Sequence, residues 1–489
     1  MKVVVVGAGI GGLSAAIRLQ SAGVATILLD RNALAGGKLN LVEENGYRFD
    51  TGPSLVTMPE VFEELFAAAG MSFHDELKLV RLDPYCRYFF DDGTMVETSD
   101  SMEKMSRSLL RLSPPDVEAF FGFLSKAASW YRMSVDAVIY GPPLDWRSLP
   151  QTDFAPLQFL RARPFQKLDS LIVHTFRDER IRRIARLIAL YTGCAPARTP
   201  AIFSLIPFLE FGLGRWYVQG GLYEMARKLV GRYGSIGGDY RPNTIVTRID
   251  FAESRAVRAH LSSGETIDGD AFVVNADVAT AAGTFLASAP GAARMSRRLD
   301  SLRPSTSAFV LMIGAKLDSS SLVHHNILFS SDEAKEWREI FGEGTPPSDP
   351  TVYLNNPSFT DDSVAPAGRA ALFAMVNVPA RTDWDWDEYE RRVIDTVQRR
   401  LEPGWSIDVI RRRTPRDFAE LTFADRGSLY GKAPDSLMAM MKRPKNIEPG
   451  FEGVFFCGGT THPGAGIPLA ALSGKLVANE ILRSRRPVS

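Results

Sequence analysis

Residue types that catalyse on their own are sparse in this sequence and poorly spaced for it. Cys86, Cys194 and Cys457 form no CxxC pair, so neither a zinc site nor a disulfide framework is expected. Among the six histidines only His324 and His325 are adjacent, and no HExxH occurs; no metal is expected. The patterned chemistry lies in glycines. Gly7-Ala8-Gly9-Ile10-Gly11-Gly12 satisfies GxGxxG, and Asp30 follows Gly12 by 18 residues. Gly7 permits a tight turn, Gly9 lets backbone approach a pyrophosphate, and Gly12 lets a helix pack closely on a strand. Asp30 can accept hydrogen bonds from ribose hydroxyls. These residues bind a dinucleotide; they do not themselves react.

The elements that must hold them are legible around them. Val3 to Val6 is a short β-branched run and predicts a buried parallel strand. Leu13 to Leu19 predicts a helix, whose N-terminal N–H groups and dipole suit phosphates. Ala25 to Asp30 predicts a second strand ending in the carboxylate. A second glycine turn with a basic side chain, Gly36-Gly37-Lys38, follows, and then Phe49-Asp50-Thr51-Gly52-Pro53-Ser54. Such additions suit FAD, which runs deeper into a protein than a nicotinamide dinucleotide does.

With these motifs the chain resembles the bacterial phytoene desaturase family of flavoenzymes, which includes dehydrosqualene desaturases. Trp216-Tyr217-Val218-Gln219-Gly220-Gly221-Leu222, Asn275-Ala276-Asp277, Leu322-Val323-His324-His325 and Asn356 to Asp361 match as well. The most specific match is Gly458-Gly459-Thr460-Thr461-His462-Pro463-Gly464-Ala465-Gly466-Ile467-Pro468, and the resemblance covers nearly the whole chain. It implies non-covalent FAD, hydride removal from saturated C–C bonds of a linear polyene, and peripheral contact with a membrane. It places Val246 at the adenine. Val454 to Cys457 predicts a strand and Leu469 to Leu482 a helix. Glycines such as Gly458 permit close approach to the cofactor, and the start of that helix, near Gly466, Ile467 and Pro468, can aim its positive end at negative charge on the reduced ring.

The expected fold class is α/β: a discontinuous Rossmann-type FAD-binding domain, an inserted α+β substrate-binding domain and a helical membrane-contacting region. Residues 1–80, 212–285 and 440–489 are assigned to the FAD-binding domain, and 81–211 and 286–439 to the substrate- and membrane-contacting domain. Strands are expected over 244–249, 307–317, 351–354 and 371–376. Residues 161–186 carry eight basic side chains against three acids, with Ile181, Ile184 and Ile188 at helical spacing. An apolar loop, Ile202 to Leu209, follows. A basic amphipathic helix of this kind suits an anionic membrane surface.

Lys+Arg and Asp+Glu both number 57, so formal net charge is zero and nothing argues for nucleic acid. The valine run ends at Gly7, short of the roughly 7–15 apolar residues of a signal segment, and no run reaches the ~20 of a spanning helix. A cytoplasmic protein, peripheral on the cytoplasmic membrane face, is expected.

The reaction implied by the resemblance is dehydrogenation of phytoene or dehydrosqualene, with oxygen or a quinone as final electron acceptor. Asp145, just after Gly141-Pro142-Pro143, and His462 are the candidate acid–base groups. Where an Arg-Asp pair is expected this chain has Arg147-Ser148, which puts the role of Asp145 in doubt. A terminal-methyl oxidase of the same family and a non-catalytic lipid carrier on the same fold are the competing readings.

Overall fold

The computed structural model describes residues 1–141, 143, 165–317, 321–400 and 405–484. Asp145, with all of Leu144 to Leu149, lies outside the described residues.

The valines at the amino terminus set the first sheet. Lys2–Val6 is the middle strand of five, in the order Val454–Phe456, Ala271–Val274, Lys2–Val6, Ala25–Leu29, Asp239–Arg241. All pairings are parallel. Val3 to Val6 are buried, as parallel strands covered on both faces require. The strands end level: Val6 pairs with both Leu29 and Val274, and Val274 with Phe456. The connections that begin at Gly7, Asp30, Asn275 and Cys457 therefore leave along one edge, where ligands bind in open α/β sheets. Ile10–Ser21 packs against the last helix, Ile467–Ser484. Ser14 Oγ donates to the Ala471 carbonyl at 2.7 Å. A Cβ on Gly474 would stand 2.2 Å from the Gly11 carbonyl oxygen, so this glycine permits the close approach.

A seven-stranded mixed sheet follows the order Trp405–Arg413, Ser307–Leu317, Ala370–Val378, Val352–Asn355, His325–Leu328, Cys86–Phe89, Met95–Thr98. Its strands alternate faces. Phe309, Leu311 and Ile313 pack with Trp386, Tyr389 and Val393 of the helix Trp386–Arg400, whereas Val310 and Met312 pack with Tyr47, Phe49 and Phe418. Helices Met102–Leu112, Asp116–Ser134, Leu168–Thr175 and Glu179–Arg186 share a third apolar cluster. Buried Asp116 ties two of them, accepting from the Arg177 and Asp178 amides at 2.8 Å each.

Three local expectations change. The strand expected over 244–249 begins at Val246 and runs to Ala252, because the Thr244 amide donates to the Asp30 carbonyl at 2.7 Å instead of joining a ladder. The apolar loop at 202–209 is two short helices, Ala201–Leu205 and Ile206–Phe211. The basic helix Glu179–Arg186 does not offer free charge. Arg186 meets Asp169, Glu179 and Glu333 at 2.8, 2.5 and 2.9 Å, and Arg182 meets Glu179 at 3.1 Å. Arg183 lies over the Phe90 and Phe329 rings, with Asp91 at 3.5 Å. Asp91 and Glu333 come from distant sequence, so the helix is charge-balanced on folding. No helix among the described residues is long and apolar enough to cross a membrane.

Candidate functional site

The level ends of the parallel strands open into a cavity of about 920 Å³. Every sequence-predicted site residue within the described residues lines it, except Gly12. Gly7, Gly9 and Asp30 come from the first two strand ends, Gly37, Lys38, Gly52 and Pro53 from the loops that follow, and Val246 from its own strand. Gly458, His462, Gly466, Ile467 and Pro468 come from the carboxyl end. Gly12 sits one layer behind: a Cβ there would meet the Gly7 carbonyl oxygen at 2.0 Å, so it holds the helix Ile10–Ser21 to its strand.

Asn275 joins the two glycine loops. Its Nδ2 donates to the Gly7 carbonyl at 3.1 Å. A Cβ on Gly9 would lie 2.7 Å from that Nδ2, and one on Gly458 only 2.5 Å from its Oδ1. Glycine from both ends of the chain is thus forced by one asparagine side chain. Asp30 accepts from the Ala8 amide at 2.7 Å and the Asn32 amide at 2.8 Å, one bond per oxygen. Each oxygen keeps a further lone pair, and burial pushes the carboxyl pKa up.

Lys38 donates to the Ser428 and Leu429 carbonyls. Burial lowers its pKa to about 8, and the charge of Asp277 opposes the fall. Asp277 caps the helix Val278–Gly283 with Oδ1. Its Oδ2 is buried with no partner among the described residues. Arg443, missed by sequence reasoning, donates to the Gly459 and Thr461 carbonyls at 2.6 and 3.0 Å, fixing the carboxyl-terminal glycine loop. Burial brings its pKa down to about 10.

Beyond the glycine loops the cavity wall is the seven-stranded sheet. Val310, Met375, Tyr353, Ile327, Tyr88 and Val96 all line it, and the pairing registers set them in one row across six strands. Five strand spacings give a trough of about 24 Å. Helices close the other side with Phe123, Ile181, Ile188 and Phe203. Among the described residues, no cluster of three or more His, Cys, Asp or Glu could hold a metal ion.

His462 Nε2 donates to the Gly141 carbonyl at 2.9 Å. Burial lowers its pKa to about 4, so the ring is neutral at pH 7. It ties the glycine loop to the segment ahead of Pro143. His324 and His325 are buried and neutral; His325 Nδ1 meets the Tyr353 hydroxyl at 2.8 Å, and that hydroxyl meets Ser54 Oγ at 2.5 Å. Tyr353 and Arg443 gave no spacing signal, and the motif that contains Ser54 did not show its bond to Tyr353. Ser54 and Tyr353 lie 299 residues apart, and the carbonyls that Arg443 holds lie 16 and 18 residues beyond it.

The sequence model of the flavin containing amine oxidoreductase family matches residues 10–482. The chain belongs to that family. Within it the chain stands with the bacterial carotenoid desaturases. It is 34% identical to the zeta-carotene-forming phytoene desaturase of Myxococcus xanthus, over 98% of this chain and 94% of that one. It is 30% identical to the 4,4'-diapolycopene oxygenase of a Methylomonas species and 30% identical to the lycopene-forming phytoene desaturase of Pseudescherichia vulneris, over 98% of both chains in each case. A redesigned putrescine oxidase shares its fold with a TM-score of 0.67 at 15% identity, over 99% of both chains. An oxidoreductase from Methanosarcina mazei does so at 0.65 and 17%, over 98% of this chain and 100% of that one. The fold is therefore α/β, with the mixed sheets of the flavin amine oxidases.

FAD is the cofactor, and the residues present fit it. The helix Ile10–Ser21 starts at Gly9 with no side chain capping it, which leaves its first N–H groups for phosphate oxygens. Gly466 lines the cavity at φ 103°, and a Cβ there would meet only Pro468 Cδ, at 4.0 Å. Lys38, Arg31 and Arg443 line the cavity at this end and suit a dianionic pyrophosphate.

Proposed function

We propose that this chain is an FAD-dependent carotenoid desaturase that dehydrogenates a linear polyene such as phytoene or dehydrosqualene. One observation carries the reading: a single cavity runs from the glycine loops onto an apolar trough, so cofactor and a long hydrocarbon share one space.

FAD supplies, when bound, a two-electron acceptor for the hydride leaving an allylic carbon; the neighbouring carbon loses a proton and a C=C bond results. The chain's residues bind and orient. Gly7 and Gly9 present backbone to the pyrophosphate, Asp30 accepts from ribose hydroxyls, and Val246 lies along the adenine. Gly37, Lys38, Gly52, Pro53, Gly458, Gly466, Ile467 and Pro468 surround the rest. The helix Ile467–Ser484 directs its positive end into the same space. His462 is a positioning residue: its one N–H is taken by Gly141. The apolar trough excludes water and fixes which bond reaches the cofactor.

Residues 1–80, 212–285 and 440–489 form the cofactor unit in this reading, and 81–211 with 286–439 the substrate unit. The substrate unit takes its substrate from the cytoplasmic face of a bilayer by peripheral contact. Exposed Met102, Leu110 and Phe165, at 69%, 52% and 77%, support that contact better than the internally paired arginines do. Oxygen or a quinone takes the electrons onward.

Expression in cells accumulating phytoene or dehydrosqualene tests this. Absorbance should move to longer wavelength, with loss of two hydrogens per step by mass. Added oxygen without longer conjugation would replace the reading with terminal-methyl oxidation, the activity in the name of the Methylomonas relative.

A further inference from the structure

A polar group interrupts the apolar trough beside the glycine loops. Ser54, Tyr353 and His325 all line the cavity. Ser54 follows Gly52 and Pro53, and a Cβ on Gly52 would stand 2.1 Å from the Lys38 carbonyl oxygen, so this segment lies against the cofactor loop. Tyr353 and His325 come from paired strands of the seven-stranded sheet.

The hydrogens of this group can be placed. The Asn355 side-chain nitrogen donates to the His324 carbonyl at 3.1 Å, and its second N–H faces His325 Nδ1 at 3.2 Å. His325 Nδ1 is therefore an acceptor, and the neutral ring carries its hydrogen on Nε2. The Tyr353 hydroxyl, 2.8 Å from Nδ1, must donate to it. Its one hydrogen is then used, so Ser54 Oγ, at 2.5 Å, donates to the Tyr353 oxygen. Both hydroxyl hydrogens thus point one way, from the cavity towards a buried imidazole. Ser54 Oγ keeps lone pairs on the cavity side of that chain, in a space otherwise suited to hydrocarbon. His325 Nε2 is buried with no partner among the described residues. The ring is held by its other nitrogen alone.

We propose that Ser54 Oγ accepts the proton lost from the carbon next to the hydride donor, and that the Ser54 and Tyr353 hydroxyls pass a proton on to His325 Nδ1. The step balances. The hydride carries both electrons of one C–H bond to the flavin. The electron pair of the second C–H bond becomes the new C=C bond, and its proton reappears on the imidazole. Deprotonation beside an electron-deficient carbon needs only a weak base. Burial, and then His324 beside it, hold the His325 pKa well below the usual 6.5. The ring therefore starts neutral, and it returns the proton by the same path once product leaves and water enters. Ser54 alone of the three meets substrate; Tyr353 and His325 are positioning residues that act through it. The proposal rests on the desaturase reading.

Two measurements on the FAD-loaded protein test it. Nitrogen NMR with isotope-labelled histidine, the His325 signals being assigned by their loss in His325→Gln, should show the hydrogen on Nε2 and an Nδ1 shift that moves in Tyr353→Phe. A hydrogen on Nδ1 overturns the proposal. Phytoene or dehydrosqualene is then mixed with the protein without oxygen, and bleaching of the flavin absorbance is followed in ordinary and heavy water. The wild type should bleach about twofold slower in heavy water, with a curved dependence on deuterium fraction, because more than one proton moves. Ser54→Ala and Tyr353→Phe should each slow bleaching by about tenfold or more, the size of a general-base contribution. Their isotope effect should fall towards one while FAD content and polyene binding stay unchanged. Each variant removes a single oxygen, so both should fold, and retained FAD verifies it. An active wild type whose variants bleach at its rate, or keep its isotope effect, overturns the relay alone. A wild type that makes no new double bond from either polyene overturns the desaturase reading, and the relay with it.

Discussion

Replacing Gly474 by alanine should weaken FAD binding, although Gly474 touches no cofactor atom in the proposed site. On an isolated helix the change is favourable by about 1 kcal/mol, since alanine loses less backbone entropy. Here the new Cβ would lie 2.2 Å from the Gly11 carbonyl oxygen, 2.8 Å from Ser14 Cβ and 2.9 Å from the Ala15 nitrogen. Two of these are main-chain atoms of the facing helix and cannot swing away. The two helices must part by about 1 Å to reach ordinary contact distance. Overpacking of this kind costs about 1–3 kcal/mol, which cancels or outweighs the propensity gain. The shift is felt at the site because Gly11 lines the cavity. Its missing Cβ would also lie 3.0 Å from Gly458 Cα, so both glycine loops move together. A change of 1.4 kcal/mol in cofactor contact is tenfold in affinity, and a loss of at least that size is expected. Thermal unfolding with and without FAD, together with quenching of flavin fluorescence on titration, measures both effects. Gly231→Ala is the control. It lies inside the helix Tyr223–Ser235, and its Cβ would meet nothing within 4 Å, so stability should rise by up to about 1 kcal/mol with FAD affinity unchanged. A Gly474→Ala protein as stable as the control, with wild-type FAD affinity, would refute the account of the helix contact.

Two pH effects follow from burial. Lys38 has its pKa lowered from 10.5 to about 8, so between pH 8 and 10.5 the unfolded chain holds a proton that the folded FAD-free protein has released. Stability of the FAD-free protein should rise with pH through that window, while FAD affinity falls as the positive charge is lost; calorimetric titration in buffers of different ionisation heat would detect proton uptake on binding, and its persistence in Lys38→Met would contradict the assignment. His462 has its pKa lowered from 6.5 to about 4, so the unfolded chain takes up a proton first as pH falls below 6.5. Its contribution is then lost down to about pH 4, by up to about 1.4 kcal/mol per pH unit. Glu336, raised by burial to about 7, titrates in the opposite sense, so the effect is read as the stability difference from His462→Gln in urea unfolding at each pH. A difference that grows as pH falls would refute it.

What the sequence disclosed and what it withheld divide by distance along the chain. The nucleotide loop was legible because strand, glycines, helix and acid all fall within thirty residues, where turn geometry and hydrophobic period dictate the structure directly. The carboxyl-terminal loop was legible as a motif, but not its contact with the first. That contact runs through Asn275, whose side chain explains Gly9 and Gly458 together. The arginines of Glu179–Arg186 were misjudged for the same reason: the window shows the bases, whereas Asp91 and Glu333 arrive from elsewhere. The trough is the extreme case. Val352, Tyr353 and Leu354 give no local sign of which side chain lines the cavity. Tyr353 does so because it pairs with Met375 on one side and Ile327 on the other. A slip of one residue would turn Val352 and Leu354 inward and remove the hydroxyl that bonds Ser54 and His325. The chemistry of the wall is therefore a property of register across six strands, and register is set by packing on both faces of the sheet, which no local window contains.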